Sequence, residues 1–178
     1  VLSFEDAKVN SGREDYDREK WIYIPDFYSE YRYILGTRGS RPLICIGINP
    51  STAEPGALDN TLKSVERIAI GNGFDSFIMF NVYAQRATDP DHMEETCNWE
   101  LHRKNMEAFR YVLSISENPG VWVAWGTIIE KRPYLRQCRV DMLESGDSYY
   151  GSHEQDLRAR IIWAESGNQP FEGMIAVG

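Results

Sequence analysis

Three polar stretches in this chain hold residue types that can do chemistry, and each follows directly on a short apolar run. Asn49-Pro50-Ser51-Thr52-Ala53 follows Leu43–Ile48. Asn81-Val82-Tyr83-Ala84-Gln85-Arg86-Ala87-Thr88 follows Phe77–Phe80, and Trp125-Gly126-Thr127 follows Val121–Ala124. The set comprises amides, hydroxyls, aromatic rings and one guanidinium. A side-chain amide presents a donor beside an acceptor, so Asn49, Asn81 or Gln85 can read the edge of a nucleobase-like ring. Tyr83 or Trp125 could stack on such a ring. Arg86 and a helix N-terminus near Asn60 suit a phosphate or carboxylate, with Pro50, Ser51 and Thr52 lining the same loop. The alternative is that the two asparagines only satisfy backbone groups in the turns, and that no ligand is involved.

The elements around these stretches can be read from their patterns. An apolar run with no polar break reads as a strand buried on both faces. Asn-Pro then breaks the strand, and Asp59 or Asn60 can cap a helix. Leu62, Val65, Ile68 and Ala69 share one face of that helix, and Gly71-Asn72-Gly73 stops it. A second helix spans about 97–116, with Met106, Phe109 and Leu113 on its buried stripe. Thr127 can cap a third, which Ser145-Gly146-Asp147 ends. This β-α alternation over 42–145 predicts an α/β fold, a three-layer αβα sandwich around a largely parallel central sheet. The strands containing Ile46, Ile78 and Val123 should be mutually parallel, which brings the three polar stretches to one edge. In such sheets ligands bind at the carboxyl ends of the strands. Arg32–Leu35 reads as another strand, expected to pair antiparallel with the strand at Leu43 because the turn between them is short. Arg160–Trp163 and Met174–Val177 read as closing strands.

Composition narrows the function classes. At 178 residues and 42% hydrophobic, the chain is expected to form a single α/β domain over 1–178, with its core in 31–145. Residues 1–20 are charged and expected to be mobile or loosely docked. The net charge of −8 disfavours duplex nucleic acid and favours a small-molecule ligand. The cations of Lys131–Arg139 fall on more than one helical face and read as solvated surface. Cys45, Cys97 and Cys138 are far apart, as expected for reduced, buried thiols of a cytoplasmic protein. No signal-peptide pattern opens the sequence, and no apolar run nears the roughly 20 residues of a membrane span. The run Asp89, Asp91, His92, Glu94, Glu95 reads as an acidic lead into a helix rather than a metal site. His102, beside Arg103 and Lys104, suits a surface or supporting role. Neither metal nor cofactor is expected, and nothing matches a phosphate-binding glycine loop or a nucleophile elbow.

The same residues carry a family resemblance. Gly47-Ile48-Asn49-Pro50-Ser51-Thr52-Ala53, Asp59-Asn60-Thr61, Asn81-Val82-Tyr83-Ala84-Gln85-Arg86-Ala87-Thr88 and Trp125-Gly126 resemble an uncharacterised bacterial and phage family, domain of unknown function 1643. Arg32-Tyr33-Ile34-Leu35 fits its start, and the likeness covers about residues 31–140. Gly47-Ile48-Asn49-Pro50 is also similar to the Gly-Ile-Asn-Pro-Gly motif of mismatch-specific uracil-DNA glycosylases, with Ser51 in place of the last glycine. That likeness implies a uracil-DNA-glycosylase-like fold in which Asn49 positions the attacking water. The late motif of that superfamily, His or Asn followed by Pro-Ser, has no counterpart. The chain instead carries Asn168-Gln169-Pro170 near its end, and His153 is not followed by Pro.

Three functions from different classes follow. One is a glycosylase-like hydrolase acting on a nucleobase-containing substrate, with Asn49 orienting water. Another is a nucleotide-binding or sensor module that uses the same pocket without turnover. In the third, the aromatic stretch Trp21–Tyr33 docks on a partner.

Overall fold

Apolar β-formers run through residues 42–47, 76–81 and 120–123, and almost every side chain along them is buried. A strand covered on both faces is apolar along most of its length, so the pattern shows no alternation. The structure is a computed structural model that describes residues 1–9, 15–116, 119–150 and 161–163. Its strands are β1 (Trp21–Ile24), β2 (Ile34–Thr37), β3 (Pro42–Gly47), β4 (Ser76–Asn81), β5 (Gly120–Val123) and β6 (Ile161–Trp163). They form one open sheet in the order β1-β2-β4-β3-β5-β6. Its helices are α1 (Phe4–Lys8), α2 (Asn60–Gly71), α3 (Trp99–Ser114) and α4 (Pro133–Tyr150).

Strands β3, β4, β5 and β6 are parallel, as expected for those holding Ile46, Ile78 and Val123. The alternation of side chains along a strand divides the core. Leu43, Cys45, Phe77, Met79 and Trp122 face α2, packing on Leu62, Val65, Ile68 and Ala69. Ile44, Ile46, Ile78, Phe80, Val121 and Val123 face the opposite way, toward α1, α3 and α4. Asp59 caps α2 by accepting from the Leu62 N–H at 2.9 Å, and Asn98 caps α3 in the same way through Leu101. The chain from Arg160 onward was expected to supply a closing strand, and β6 pairs with β5. Met174–Val177 and the Asn168–Gly173 segment lie outside the described residues, as does His153.

Several expectations need correcting. β2 is antiparallel to β1 and β4 and does not adjoin β3, because β4 lies between them. The connection at residues 38–41 instead crosses the amino end of β4. Asp75 holds it there, its carboxylate accepting from Ser40 N, Ser40 Oγ and Arg41 N at 2.8–2.9 Å. β2 can approach β4 only with a bare backbone at Gly36, where a Cβ would lie 2.2 Å from the Phe77 carbonyl oxygen. Residues 1–9 are not loose: Phe4 and Ala7 of α1 are buried against the core. Much of the aromatic stretch is also withdrawn from solvent, with Tyr28 left exposed. Trp21 and Tyr23 are buried within β1, and Tyr33 is fully buried. Thr127 caps nothing and sits within a 3-10 turn, Gly126–Glu130, before α4 starts at Pro133. Ser145-Gly146-Asp147 does not end α4. A glycine inside a helix is destabilising by only about 1 kcal/mol relative to alanine. Packing on α3, with Ser145 Oγ accepting from Arg110 Nε at 3.0 Å, carries the helix through.

Asp75 yields a pH prediction. Hydrogen bonds from Ser76 and from the Arg41 and Ser40 amides hold its carboxyl down at about 2, against an ordinary 3.8. A folded value below the unfolded one means that the stabilisation is fully present above about pH 4. It is lost as pH falls toward 2. Urea denaturation across that window should show a steeper loss of stability in wild type than in Asp75→Asn. Parallel curves would remove Asp75 from the account of this crossover.

Candidate functional site

Beyond Gly47 and Asn81 the strands end, but their pairing continues into the loops. Val82 N donates to the Gly47 carbonyl, Tyr83 N to Ile48 and Ala87 N to Pro50, each at 2.9 Å. The Asn49 side chain reinforces this seam. Its Nδ2 donates to the Ala87 carbonyl at 2.8 Å and lies 3.1 Å from Pro50 O and 3.4 Å from Gln85 O. Its Oδ1 meets no donor among the described residues. Pro50 is buried, Ser51 half-buried, and Thr52 exposed. Asn60 is exposed at the first position of α2. At that helix N-terminus the Asp59 carboxylate accepts from one of the free N–H groups, that of Leu62.

Asn81 is the unusual residue of the set. It is 1% exposed, and neither its Oδ1 nor its Nδ2 has a hydrogen-bond partner. Gly47 makes room for it, since a Cβ there would lie 2.9 Å from Asn81 Oδ1. A second amide stands next to it. Asn105 of α3, fully buried, donates through Nδ2 to the carbonyls of Asn81 at 2.9 Å and Val82 at 3.3 Å, while its own Oδ1 is unpartnered. Sequence reading missed Asn105. The available signal was its position on the apolar face of α3, four residues after Leu101 and three before Ala108.

Tyr83 and Trp125 both lie in the core. The Tyr83 ring packs on Tyr134 at 5.1 Å, and its hydroxyl donates to Glu94 and accepts from Asn98 N, both at 2.8 Å. Burial pushes that phenol well above its ordinary range. Gln85 accepts from Glu94 N at 2.9 Å, leaving its amide nitrogen uncommitted. Arg132, read from sequence as surface, holds the acidic loop together by donating to the carbonyls of Asp91, Met93 and Glu94. Asp91 pairs with Lys131 at 2.7 Å, so this acidic run is tied to α4's leading turn.

The guanidinium of Arg86 donates to the carbonyls of Ser51 (2.5 Å) and Ala53 (3.3 Å) and to the Tyr23 hydroxyl (3.0 Å). The exposed ring of Tyr28 covers it at 4.1 Å. Ala53 O also accepts from Arg32 Nη1 at 3.2 Å. Arg32, inconspicuous in a strand-like stretch of sequence, is among the most deeply buried side chains of the described residues. Beside Arg86, Tyr28, Gln85 and Glu94 opens a cleft of about 690 Å³. A second cleft of about 700 Å³ lies at the opposite edge of the sheet, where Lys20, Arg38, Lys63 and Arg67 mix with Glu66 and Asp75.

His102 is buried rather than superficial, with Nε2 2.8 Å from Asp141 Oδ2. All three cysteines are free and buried, and burial pushes the Cys45 thiol far up. No helix among the described residues is long and apolar enough to cross a membrane. Among those residues, no three His, Cys, Asp or Glu side chains gather as metal ligands would. A family model described as a protein of unknown function (DUF1643) matches residues 32–160. No curated protein and no solved structure matches the chain.

The Asn49 seam is open to test. Asn49→Ala leaves the Ala87 carbonyl without its short hydrogen bond and loosens the two loops from each other. Losing such a partner typically costs about 1–3 kcal/mol. Urea denaturation should show a loss in that range with an unchanged slope. A variant as stable as wild type would mean that the backbone pairs hold the seam unaided.

Proposed function

Because the chain belongs to the family of proteins of unknown function DUF1643, whose model spans all three strand-end loops, we propose a function from the geometry of those loops: the carboxyl edge of the parallel strands binds a ligand carrying a nucleobase. The observation that carries this reading is the Asn81 amide. Buried polar groups are nearly always hydrogen-bonded, and leaving one unpaired costs about 1–3 kcal/mol. Asn81 holds both a donor and an acceptor in that condition. A nucleobase edge offers the matching acceptor and donor side by side. Gln85 lies four residues further on with a free amide nitrogen, and Tyr28 offers an exposed ring for stacking in place of Tyr83 and Trp125. Because Asn81 is covered, a ligand that reaches it displaces part of the loop seam, and binding is coupled to a local opening. The net charge of −8 favours a small nucleotide-like ligand over duplex nucleic acid.

A second reading, glycosylase-like hydrolysis, is favoured by Asn49 Oδ1. That oxygen accepts from no described residue and stands on the Gly-Ile-Asn-Pro turn. The helices on both faces of the sheet support, for this reading, a three-layer αβα sandwich of the uracil-DNA-glycosylase kind. A neutral amide orients water rather than deprotonating it, so leaving-group departure would carry most of the barrier.

The test is a melting-temperature screen of nucleobases, nucleosides and nucleotides against wild type and Asn81→Leu. Binding to the folded state alone stabilises by about 2.7 kcal/mol at a hundredfold excess over Kd. At least one compound should raise the wild-type Tm. Asn81→Leu should abolish that response without lowering the Tm of the free protein, since an apolar replacement removes two unpaired polar atoms. No response from the panel at millimolar levels, or an undiminished response in the variant, would reject base reading by Asn81. Release of a free base by wild type but not by Asn49→Ala, with binding retained, would select the hydrolytic reading.

A further inference from the structure

Arg32 and Arg86 converge on one carbonyl, and among the described residues neither forms an ion pair, the Asp59 charge offsetting Arg32 only from a distance. Nη1 of each guanidinium lies within hydrogen-bonding distance of Ala53 O. Arg32 is 1% exposed, and among the described residues its guanidinium has no other partner; its Nε is buried and unpaired. The Nε of Arg86 is buried and unpaired as well. The carboxylates nearby make their hydrogen bonds to other groups. Glu54 accepts from the Tyr23 hydroxyl at 3.2 Å, and Asp59 caps α2. Buried charges are ordinarily paired with an opposite charge, because desolvating a lone cation is costly. Two like charges side by side raise that cost. The strain registers on Arg32, whose pKa is lowered to about 9, by burial first and by Arg86 next.

We infer that Arg32 and Arg86 form the seat of a phosphate group, so that the ligand of the strand-end site is a nucleoside phosphate rather than a free base or nucleoside. This rests on the reading of that edge as a ligand site. The guanidinium fork matches tetrahedral phosphate oxygens two at a time, and each fork has an edge, at Nε, that no protein group uses. Ser51–Ala53, whose carbonyls hold the two cations, is the loop that follows Asn49, so seat and base-reading edge share one wall. The Tyr23 hydroxyl, bridging Arg86 and Glu54, completes it, and burial pushes that phenol up to about 12. At the α2 N-terminus the Asp59 carboxylate already accepts from the Leu62 N–H, so the two guanidiniums are the stronger seat.

Inorganic phosphate is the direct probe, since it carries no base. Titrated into the full chain at constant ionic strength, it should raise the Tm saturably where chloride does not. The Nε–Hε NMR signals of two arginines should shift together along the same isotherm. Arg86→Gln, a half-buried site, should lose the phosphate response while remaining folded by circular dichroism. Arg32→Gln should lose it too, and if that variant does not fold, the NMR signals in wild type decide the matter. A nucleoside monophosphate should bind at least about tenfold more tightly than its nucleoside in wild type, and equally in Arg86→Gln. Nucleosides that bind while phosphate has no effect would overturn the seat and leave base reading standing. Phosphate that binds through both arginines while no base-containing compound adds affinity would keep the seat and reject base reading. A phosphate response that survives in Arg86→Gln with unmoved arginine signals would place the anion elsewhere and overturn the inference.

Discussion

The parallel pairing of β3 with β4 runs in one register from Pro42↔Ser76 to Gly47↔Asn81 and then continues past the sheet. Three backbone hydrogen bonds and the Asn49 amide extend it through Pro50 and Ala87. The rest of the site depends on this seam. It makes the two loops leave the sheet side by side, and it puts Gly47 directly opposite Asn81. The residues of 30–32 extend it on the other side of β4, where Arg32 N donates to Ala84 O and Arg86 N to Glu30 O. Two arginines far apart in sequence thereby reach the same carbonyl. A slip of one residue would turn every core side chain of β4 to the wrong face, so the register is held by burial as much as by hydrogen bonds.

Around that seam the molecule buries polar groups that have no hydrogen-bond partner. The Asn81 amide, the Asn105 oxygen and the Arg32 Nε are all buried and unpaired. They cluster at the carboxyl edge of the sheet and its flanking loops. The two apolar clusters of the core run from Leu43 and Trp122 on one face to Ile44 and Phe109 on the other, and His102 of α3 adds one more buried unpaired nitrogen, Nδ1, away from this edge. A well-packed interior can carry a few kcal/mol of local disadvantage, and in proteins at large such disadvantage is concentrated at functional sites. The same logic separates Asn49 from Asn81. Both are asparagines at a strand end, but Asn49 spends its nitrogen on backbone carbonyls, whereas Asn81 spends nothing.

Local pattern foretold the elements where packing and propensity agree. The apolar runs at 42–47 and 76–81, the Asp59 cap and the glycine-rich stop after α2 were all legible, because each is a short-range effect of residue type. Where the two disagree, packing won. Gly146 reads as a helix stop, yet α4 passes through it because one face lies on α3. Trp21–Ile24 reads as an aromatic cluster, and became a strand because the open edge of β2 was there to pair with. The short turn after Gly36 suggested a hairpin, and β4 was inserted instead because it matches β3 over six residues.

The α/β alternation, the parallel core and the family are legible in the amino-acid order, since these rest on periodicity and on motifs contiguous in the chain. That order also marked Asn49, Asn81 and Arg86 as residues that meet at one edge. The tertiary structure alone decided what each of them does there. Whether an amide is spent or unspent depends on carbonyls that lie more than thirty residues away, as Ala87 does from Asn49. Whether a guanidinium is balanced depends on which acids fold beside it, and Arg32, placed in an apolar strand pattern, gave no sign of standing next to Arg86. Hydrogen bonding and charge compensation are properties of three-dimensional neighbourhoods, and no local pattern encodes them.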